Sequence, residues 1–250
     1  SITMINKITT FLFFSIFLSN IFASFESENV MDLGHKEIGL SQPFRLGYKN
    51  NIEISAHPLL MFVLPNFSLK KKYENYGFTI KYNFYYPTPL MKILQKKGMF
   101  GIFPPAIDVG GIPNIAILNT QVLKSISFDK SLITFKGGLS FCMASEKIDK
   151  RLSIDLPLIY PAMSTIFNGY KYSLGADLRY DLNNSISLLA DGDIDIIYGQ
   201  DFFIGNKILF EYQINRNWLA LLGTKFTSGN YPFGKQSRLF PLLDIIYSFD

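Results

Sequence analysis

The feature that most constrains this chain is a two-residue alternation, clearest over residues 76–86, YGFTIKYNFYY. Every second residue there is aromatic or Ile, and the residues between them are Gly, Thr, Lys, Asn and Tyr. Side chains of a β-strand point alternately to its two faces, so one face is apolar and the other carries a central lysine. The length is about that of a tilted strand crossing a bilayer, and Tyr at both ends of the apolar row favours the membrane interface. The stretch predicts a transmembrane strand.

Much of the chain repeats this pattern, with short polar turns between the repeats. The clearest repeats are residues 131–143, 170–182 and 186–198. Residues 152–167 are apolar but contain two prolines; because proline removes a ladder donor, we expect a short or bulged strand there. The pattern gives about twelve strands, with a range of 10–14, and an even number suits a bacterial barrel. We therefore predict an all-β chain with a single antiparallel transmembrane β-barrel over residues 44–249.

The first residues have the pattern of an export signal. Lys7 supplies a positive charge, residues 11–18 are apolar, and Ile21 and Ala23 occupy the −3 and −1 positions of a cleavage site. We expect residues 1–23 to be a cleaved signal peptide and residues 24–43 to form a periplasmic lead.

One long segment lacks strand pattern. Residues 87–113 contain five prolines, and residues 90–97 have the composition of a short amphipathic helix with a basic end. Such long irregular segments are often functional. We expect this non-strand insertion to be a plug inside the barrel or a segment on the membrane surface.

A secreted, soluble β-sandwich is the alternative fold, because its strands also alternate. Long uncharged apolar rows bordered by aromatic residues favour the barrel. The signal peptide, the repeated amphipathic strands and the last strand, which alternates down to Phe249, resemble the outer-membrane β-barrel proteins of Gram-negative bacteria over residues 44–249. The resemblance implies an outer-membrane location, contact with outer-membrane lipid, and recognition of a terminal aromatic residue by the barrel-assembly machinery. Here Asp250 follows Phe249, which departs from the commonest pattern, and the resemblance supplies no functional residues.

If the apolar rows face lipid, the opposite rows place charged side chains in the lumen. The earlier strands contribute mainly basic residues and the later strands contribute most of the acids, so we expect a positive wall opposite a negative one. This arrangement either closes a salt-bridged interior or filters solutes by charge. The predicted lumen-facing charges are Arg45, Lys49, Glu53, Lys70, Lys72, Lys81, Lys136, Lys171, Asp177, Arg179, Asp181, Asp191, Asp193, Asp195, Lys207, Glu211, Lys225 and Asp244.

Three of these acids, Asp191, Asp193 and Asp195, share one strand face. Like charges this close need counter-charges, which inward lysines provide; a divalent cation is the alternative, because hard cations bind carboxylate oxygens. The spacing is not that of a calcium-binding loop, so we predict no metal site and no cofactor. The net charge of +4 is scattered and gives no case for nucleic-acid binding.

Three functions remain open from the sequence. The first is passive passage of small solutes, or a purely structural role in the membrane. The second is an envelope-lipid hydrolase, for which His57, near Ser55 and Glu53, is the candidate base. The third is transport of hydrophobic molecules, with residues 87–113 as the plug.

Overall fold

The computed structural model describes residues 25–40, 42–58, 60–97, 110–153, 157, 160–197, 202–232 and 234–249. Within these residues twelve antiparallel strands form a closed barrel. Each strand pairs with its neighbours in sequence, and β1 closes the barrel against β12. The predicted fold class and strand number are confirmed.

Strand lengths differ strongly around the barrel. β1 to β5 contain four to eight residues and β6 to β12 contain 11 to 16. With a rise of about 3.3 Å per residue and a tilt of about 40°, a five-residue strand covers roughly 13 Å of barrel height and a 14-residue strand roughly 35 Å. The wall is therefore low on one side. The strands are β1 (Lys36–Gly39), β2 (Phe44–Lys49), β3 (Ile52–Ala56), β4 (Asn66–Tyr73), β5 (Phe78–Tyr85), β6 (Ile115–Phe128), β7 (Ser131–Ala144), β8 (Tyr170–Asp181), β9 (Ile186–Ile196), β10 (Phe203–Gln213), β11 (Trp218–Tyr231) and β12 (Gly234–Phe249).

Two local predictions were wrong although the strand count was right. The barrel starts at Lys36–Gly39, inside the stretch expected to be a periplasmic lead. Residues 152–167 contribute no strand among the described residues: a 3₁₀ turn covers Lys150–Leu152 and a helix, α2, covers Tyr160–Asn168. Pro161 suits the first turn of α2, where its missing N–H is not needed, and Gly169, with φ of 83°, supplies the left-handed residue that ends it.

The expected short helix in residues 87–113 is present as α1 (Thr88–Lys97). The part of the insertion at residues 98–109 lies outside the described residues. The Thr88 hydroxyl accepts a hydrogen bond from the Ile115 N–H at 2.8 Å, which ties the start of α1 to the start of β6. In the described part of the chain, no helix has both the length and the apolarity needed to cross a membrane.

The connections define two different ends of the barrel. Strands β2 to β11 are joined in successive pairs at one end by turns of at most four residues, and we call this the short-turn end. Most connections at the opposite, long-loop end are longer, and α1 and α2 lie in the two longest of them. Outer-membrane barrels have this asymmetry, with short periplasmic turns and longer extracellular loops.

The two faces of the wall have opposite chemistry. Outward side chains such as Phe135, Phe210 and Leu222 are 52%, 52% and 61% exposed, whereas inward Thr79 and Asp177 are fully buried. Exposed apolar area this extensive is not the surface of a soluble monomer. The exterior is the lipid-facing band of a membrane barrel, and the interior holds the polar groups.

Candidate functional site

The centre of the lumen contains a lysine surrounded by three carboxylates. The Lys136 Nζ lies 2.6 Å from an Asp177 oxygen, 2.8 Å from an Asp191 oxygen and 2.8 Å from an Asp193 oxygen. Strands β7, β8 and β9 place these side chains on one inward patch, which we call the Lys136 cluster. A Cβ at Gly175 would lie 2.1 Å from the Asp193 carboxylate, so the glycine leaves the space that the cluster occupies.

The neighbouring acids have lysine partners as well. Lys207 Nζ lies 3.3 Å from Asp191, and Lys171 Nζ lies 3.1 Å from Asp195. The ammonium of Lys136 therefore stands where a cation bridging Asp191 and Asp193 would have to sit. Among the described residues, no group of three or more His, Cys, Asp or Glu has the arrangement of a metal site.

A second ion-paired group lies nearer the short-turn end. Arg179 contacts Glu211 at 2.6 Å and Asp181 at 3.0 Å, and it donates to the Ser187 hydroxyl. Two other predicted inward charges lie nearby on the later strands: Lys225 is directly opposite Lys207 in the ladder, and Asp244 on β12 is fully buried.

The basic residues of the earlier strands form a third group. Arg45 binds Glu53 at 2.9 Å and Glu37 at 3.0 Å. Lys49 departs from the prediction: a register shift between Gly47 and Lys49 interrupts the alternation, and Lys49 is exposed, with its Nζ 5.3 Å from the centre of the Tyr48 ring.

The remaining cations of this wall, Lys70, Lys72 and Lys81, bind a segment that the sequence placed outside the barrel. Residues 25–33 are called the N-terminal segment: residues 25–31 lie along the lumen, and Asp32 and Leu33 are exposed at the short-turn mouth. Glu26 forms an ion pair with Lys81, Glu28 lies 3.3 Å from Lys72, and the Asn29 carbonyl accepts from Lys70 at 2.6 Å. The acidic and basic walls thus do not neutralise each other. The acids are bound by neighbouring lysines, and the basic wall is bound by the N-terminal segment.

The segment also reaches the opposite wall. The Glu26 N–H donates to Asp177 at 2.9 Å, and Phe25 packs against an inward apolar patch. The chain therefore crosses the lumen at residues 25–26 and leaves through the short-turn end. The patch that Phe25 contacts consists of Leu189, Leu209, Leu221 and Leu242.

Glu28 replaces a missing strand partner. The β5–β6 ladder runs only from Thr79 opposite Leu123, so the next part of β6 has no partner from β5. There the Ser125 N–H donates to the Glu28 carboxylate at 2.9 Å, and the Glu28 N–H donates to the Ser125 hydroxyl at 3.0 Å. The Thr79 hydroxyl donates to the Glu28 carbonyl. The segment is therefore part of the hydrogen-bonded wall.

Close backbone approach fixes where the segment leaves the lumen. A Cβ at Gly47 would lie 1.8 Å from the Asp32 carbonyl oxygen, so only glycine allows the chain to pass there. The Gly34 N–H donates to the Gly47 carbonyl, and the Gly47 N–H donates to the His35 carbonyl, at 2.9 and 3.0 Å. A cavity of about 560 Å³ opens beside the segment at this mouth, with Asn29, Lys72 and Glu74 among its lining residues.

At the long-loop end both helices pack against the inner wall. Met91 of α1 and Ile166 of α2 share a buried cluster with Ile115 of β6. At the start of α2, Tyr160 packs against Phe203 of β10, with ring centres 5.6 Å apart. α2 therefore contacts strands on both sides of the long-loop mouth.

His57 has a structural environment. It is 4% exposed, its Nδ1 accepts from the Leu60 N–H at 3.4 Å, and its own N–H donates to Asn66 at 2.6 Å. Glu53, which the sequence places near His57, binds Arg45 and the Met31 N–H. Both carboxylate oxygens of Glu53 are thus bound by groups other than His57.

Sequence reasoning missed Glu26 and Glu28, the most informative functional residues in the lumen. The sequence did contain a signal, because the number of cations on this wall is larger than the number of nearby wall acids. The cations are Arg45, Lys70, Lys72 and Lys81, and the nearby acid is Glu53. An excess of this kind inside a barrel requires carboxylates from elsewhere.

No family model matches this chain, and no curated protein matches it. Among solved structures, it is similar to a bacterial polysaccharide outer-membrane secretin (9% identity, 86% of this chain and 70% of that chain, TM-score 0.49). It is also similar to a porin of Rhodopseudomonas blastica (10%, 86% and 56%, 0.32) and to the KdgM porin in complex with disordered oligogalacturonate (8%, 86% and 97%, 0.27). The chain spans little more than half the length of the R. blastica porin. All three TM-scores are below 0.5.

Proposed function

We propose that this protein is an outer-membrane β-barrel that passes small polar solutes, and that the N-terminal segment restricts the passage. The observation that carries the proposal is that the interior is charged and holds residues 25–31 of the N-terminal segment in addition to the wall side chains. Eight-stranded barrels are just filled by their own side chains, and 16-stranded porins leave an aqueous channel. Twelve strands give an intermediate lumen with room for a small solute if the segment withdraws.

The apolar exterior, the predicted signal peptide and the even strand number support the outer-membrane location. The polar lining supports water-soluble cargo. Neighbouring strands contribute a chain of hydrogen bonds between amides and hydroxyls with contacts of 2.6, 2.9 and 2.7 Å. The side chains in this row of hydrogen bonds are Ser68, Asn83, Asn119 and Ser140.

Planar-bilayer conductance tests the proposal. The protein with residues 1–23 removed should conduct little, because the N-terminal segment crosses its lumen. A variant that also lacks residues 25–33 should conduct more. A variant lacking residues 88–97 of α1 is the matched control, because it removes a segment of similar length from the long-loop mouth. Mobility on gels before and after boiling establishes that each variant is folded. If no folded variant conducts, the passage proposal is refuted and a structural role takes its place.

Transport of hydrophobic molecules is the second candidate, and the low wall over β1 to β3 favours it. Above that wall the connection between β3 and β4 carries Phe62, which is 87% exposed. An apolar solute could leave the lumen sideways there. Uptake of a fluorescent fatty acid by vesicles containing the protein separates this candidate from polar passage, for which a fluorescent sugar is the matched probe.

A further inference from the structure

We propose that Lys70, Lys72 and Lys81 form a binding site for linear solutes that carry carboxylates, and that the N-terminal segment occupies this site as an internal ligand. We call these three residues the lysine face. The inference rests on the proposed function, since a solute must enter the lumen to reach the site.

The lysine face and Arg45 together carry more positive charge than the neighbouring wall carboxylates can neutralise. Lys70 lies directly opposite Lys81 in the β4–β5 ladder, and Lys72 lies two positions further along β4. Like charges directly opposite each other on neighbouring strands destabilise a sheet. The nearest wall acid, Glu53, lies directly opposite Lys70 in the β3–β4 ladder, but Arg45 also binds both of its carboxylate oxygens.

The N-terminal segment supplies the missing charge. With Arg45, the wall has four cations against the two wall carboxylates Glu37 and Glu53. The excess is two, and Glu26 and Glu28 provide two carboxylates. The segment therefore neutralises the wall, which explains why a polar stretch lies inside a barrel rather than in water.

The contacts describe the kind of ligand that the lysine face accepts. The two glutamates are two positions apart in the chain, which is a separation of about 7 Å where a backbone is extended. Lys70 and Thr79 bind backbone carbonyls, which any chain with carbonyl or hydroxyl oxygens could replace. The site therefore selects linear molecules by the distance between their carboxylates, and short polycarboxylates have carboxylates at such distances.

Solute and segment then compete for the same cations. A ligand that binds only the state with the segment displaced shifts the population toward that state. The cavity of about 560 Å³ at the short-turn mouth includes Lys72 in its lining and gives a ligand a starting point. Binding of the solute would thereby open the lumen that the segment restricts.

The first test uses the protein without substitutions, folded in detergent. Hydrogen exchange is measured in residues 25–33 with linear tetraglutamate, with sodium chloride at equal ionic strength, and with tetraglutamine. The amides of Glu26, Glu28 and Met31 donate to lumen side chains and should exchange slowly. Tetraglutamate should accelerate their exchange at least threefold and the two controls should not. Equal acceleration by sodium chloride, or none by tetraglutamate, overturns the proposal.

The second test uses a full-chain variant, Glu26→Gln with Glu28→Gln, that weakens the internal ligand. A fluorescein-labelled peptide with the sequence of residues 25–33, FESENVMDL, should bind this variant at least tenfold more tightly than it binds the unsubstituted protein. A peptide with both glutamates replaced by glutamine should bind neither. Adding Lys70→Gln and Lys81→Gln should abolish binding.

Glu211→Gln is the matched control, because it removes an inward carboxylate that contacts Arg179 rather than the segment. It should leave peptide affinity unchanged. If the double glutamine variant is heat-modifiable on gels yet binds no peptide, the lysine face is not a site. Peptide binding needs no ionic current, so this result is independent of whether the barrel conducts.

Discussion

Replacing Lys136 with methionine should strongly destabilise the barrel. Methionine keeps most of the side-chain length and removes the charge, which leaves the carboxylates of Asp177, Asp191 and Asp193 around an apolar side chain. Each Lys136 contact, at 2.6 to 2.8 Å, is worth roughly 6 kcal/mol of gross attraction at an effective dielectric constant of about 20. Desolvation and repulsion among the acids offset most of that sum. Breaking a buried ion pair by removing one partner costs about 3–5 kcal/mol, and we expect Lys136→Met to cost that much.

The assay follows unfolding in urea through the fluorescence of Trp218, the only tryptophan in the chain. Trp218 is 42% exposed at the start of β11, so its emission should report loss of the apolar surroundings when the barrel unfolds. Lys130→Met is the matched control, because Lys130 lies in the exposed turn between β6 and β7 and should change stability by less than about 0.5 kcal/mol.

A compensating variant separates lost charge pairing from lost packing. Lys136→Met combined with Asp177→Asn and Asp193→Asn removes two of the stranded charges and leaves Asp191 with Lys207. This triple variant should recover most of the lost stability. If Lys136→Met is as stable as Lys130→Met, the ion pairs of the Lys136 cluster do not stabilise the wall.

Three further changes test other parts of the structure. Gly47→Ala should push the N-terminal segment out of place and raise hydrogen exchange in residues 25–33 several-fold, whereas unchanged protection would contradict the close approach. Neutralising Asp191, Asp193 and Asp195 to Asn should shift the reversal potential toward anions if current flows, or lower stability by about 3–5 kcal/mol if their lysine partners are locked; with neither effect, those side chains do not face the lumen. His57→Ala should cost about 1–3 kcal/mol, because it removes a buried side chain and leaves the half-buried Leu60 N–H without its acceptor, and should not change lipid turnover. Lipid hydrolysis that disappears in this variant would establish the enzymatic alternative.

The barrel wall was predictable because lipid and lumen impose opposite requirements on alternate residues. In β8, Leu174 and Leu178 are 56% and 36% exposed to the outside, whereas Asp177 is fully buried. The rule is local, so it can be seen in a single strand. It also predicted that Asp191 of β9 faces inward like Asp177, and the two lie directly opposite each other in the ladder.

Alternation did not predict the parts of the chain that lie outside the wall, where lipid and lumen are not on opposite sides. α2 lies at the mouth among apolar side chains, so Tyr160 and Ile166 are buried just as residues of a strand would be. β1 has only four residues, too few to establish an alternation.

The N-terminal segment could not be predicted from local pattern, because its partners are distant in sequence. Glu26 and Lys81 are 55 residues apart, and Glu28 and Ser125 are 97 apart. A polar stretch with no periodicity fits a solvent-exposed lead equally well. Only the excess positive charge of the distant wall distinguished the two placements.

The low wall over β1 to β3 has a consequence for the surrounding membrane. Those strands cover roughly 10–15 Å of barrel height, whereas the apolar band of such barrels is about 25 Å tall. A protein surface shorter than the hydrocarbon layer makes the bilayer thin locally, at a cost of a fraction of a kcal/mol per ångström. The turn above β3 meets this mismatch with apolar side chains and with backbone groups bonded internally, since Met61 N–H donates to the His57 carbonyl and Leu64 N–H to that of Leu60. The bilayer should therefore be thinner beside β1 to β3 than elsewhere around the barrel. Lipids there should reorient more easily than lipids along the tall face of β6 to β12.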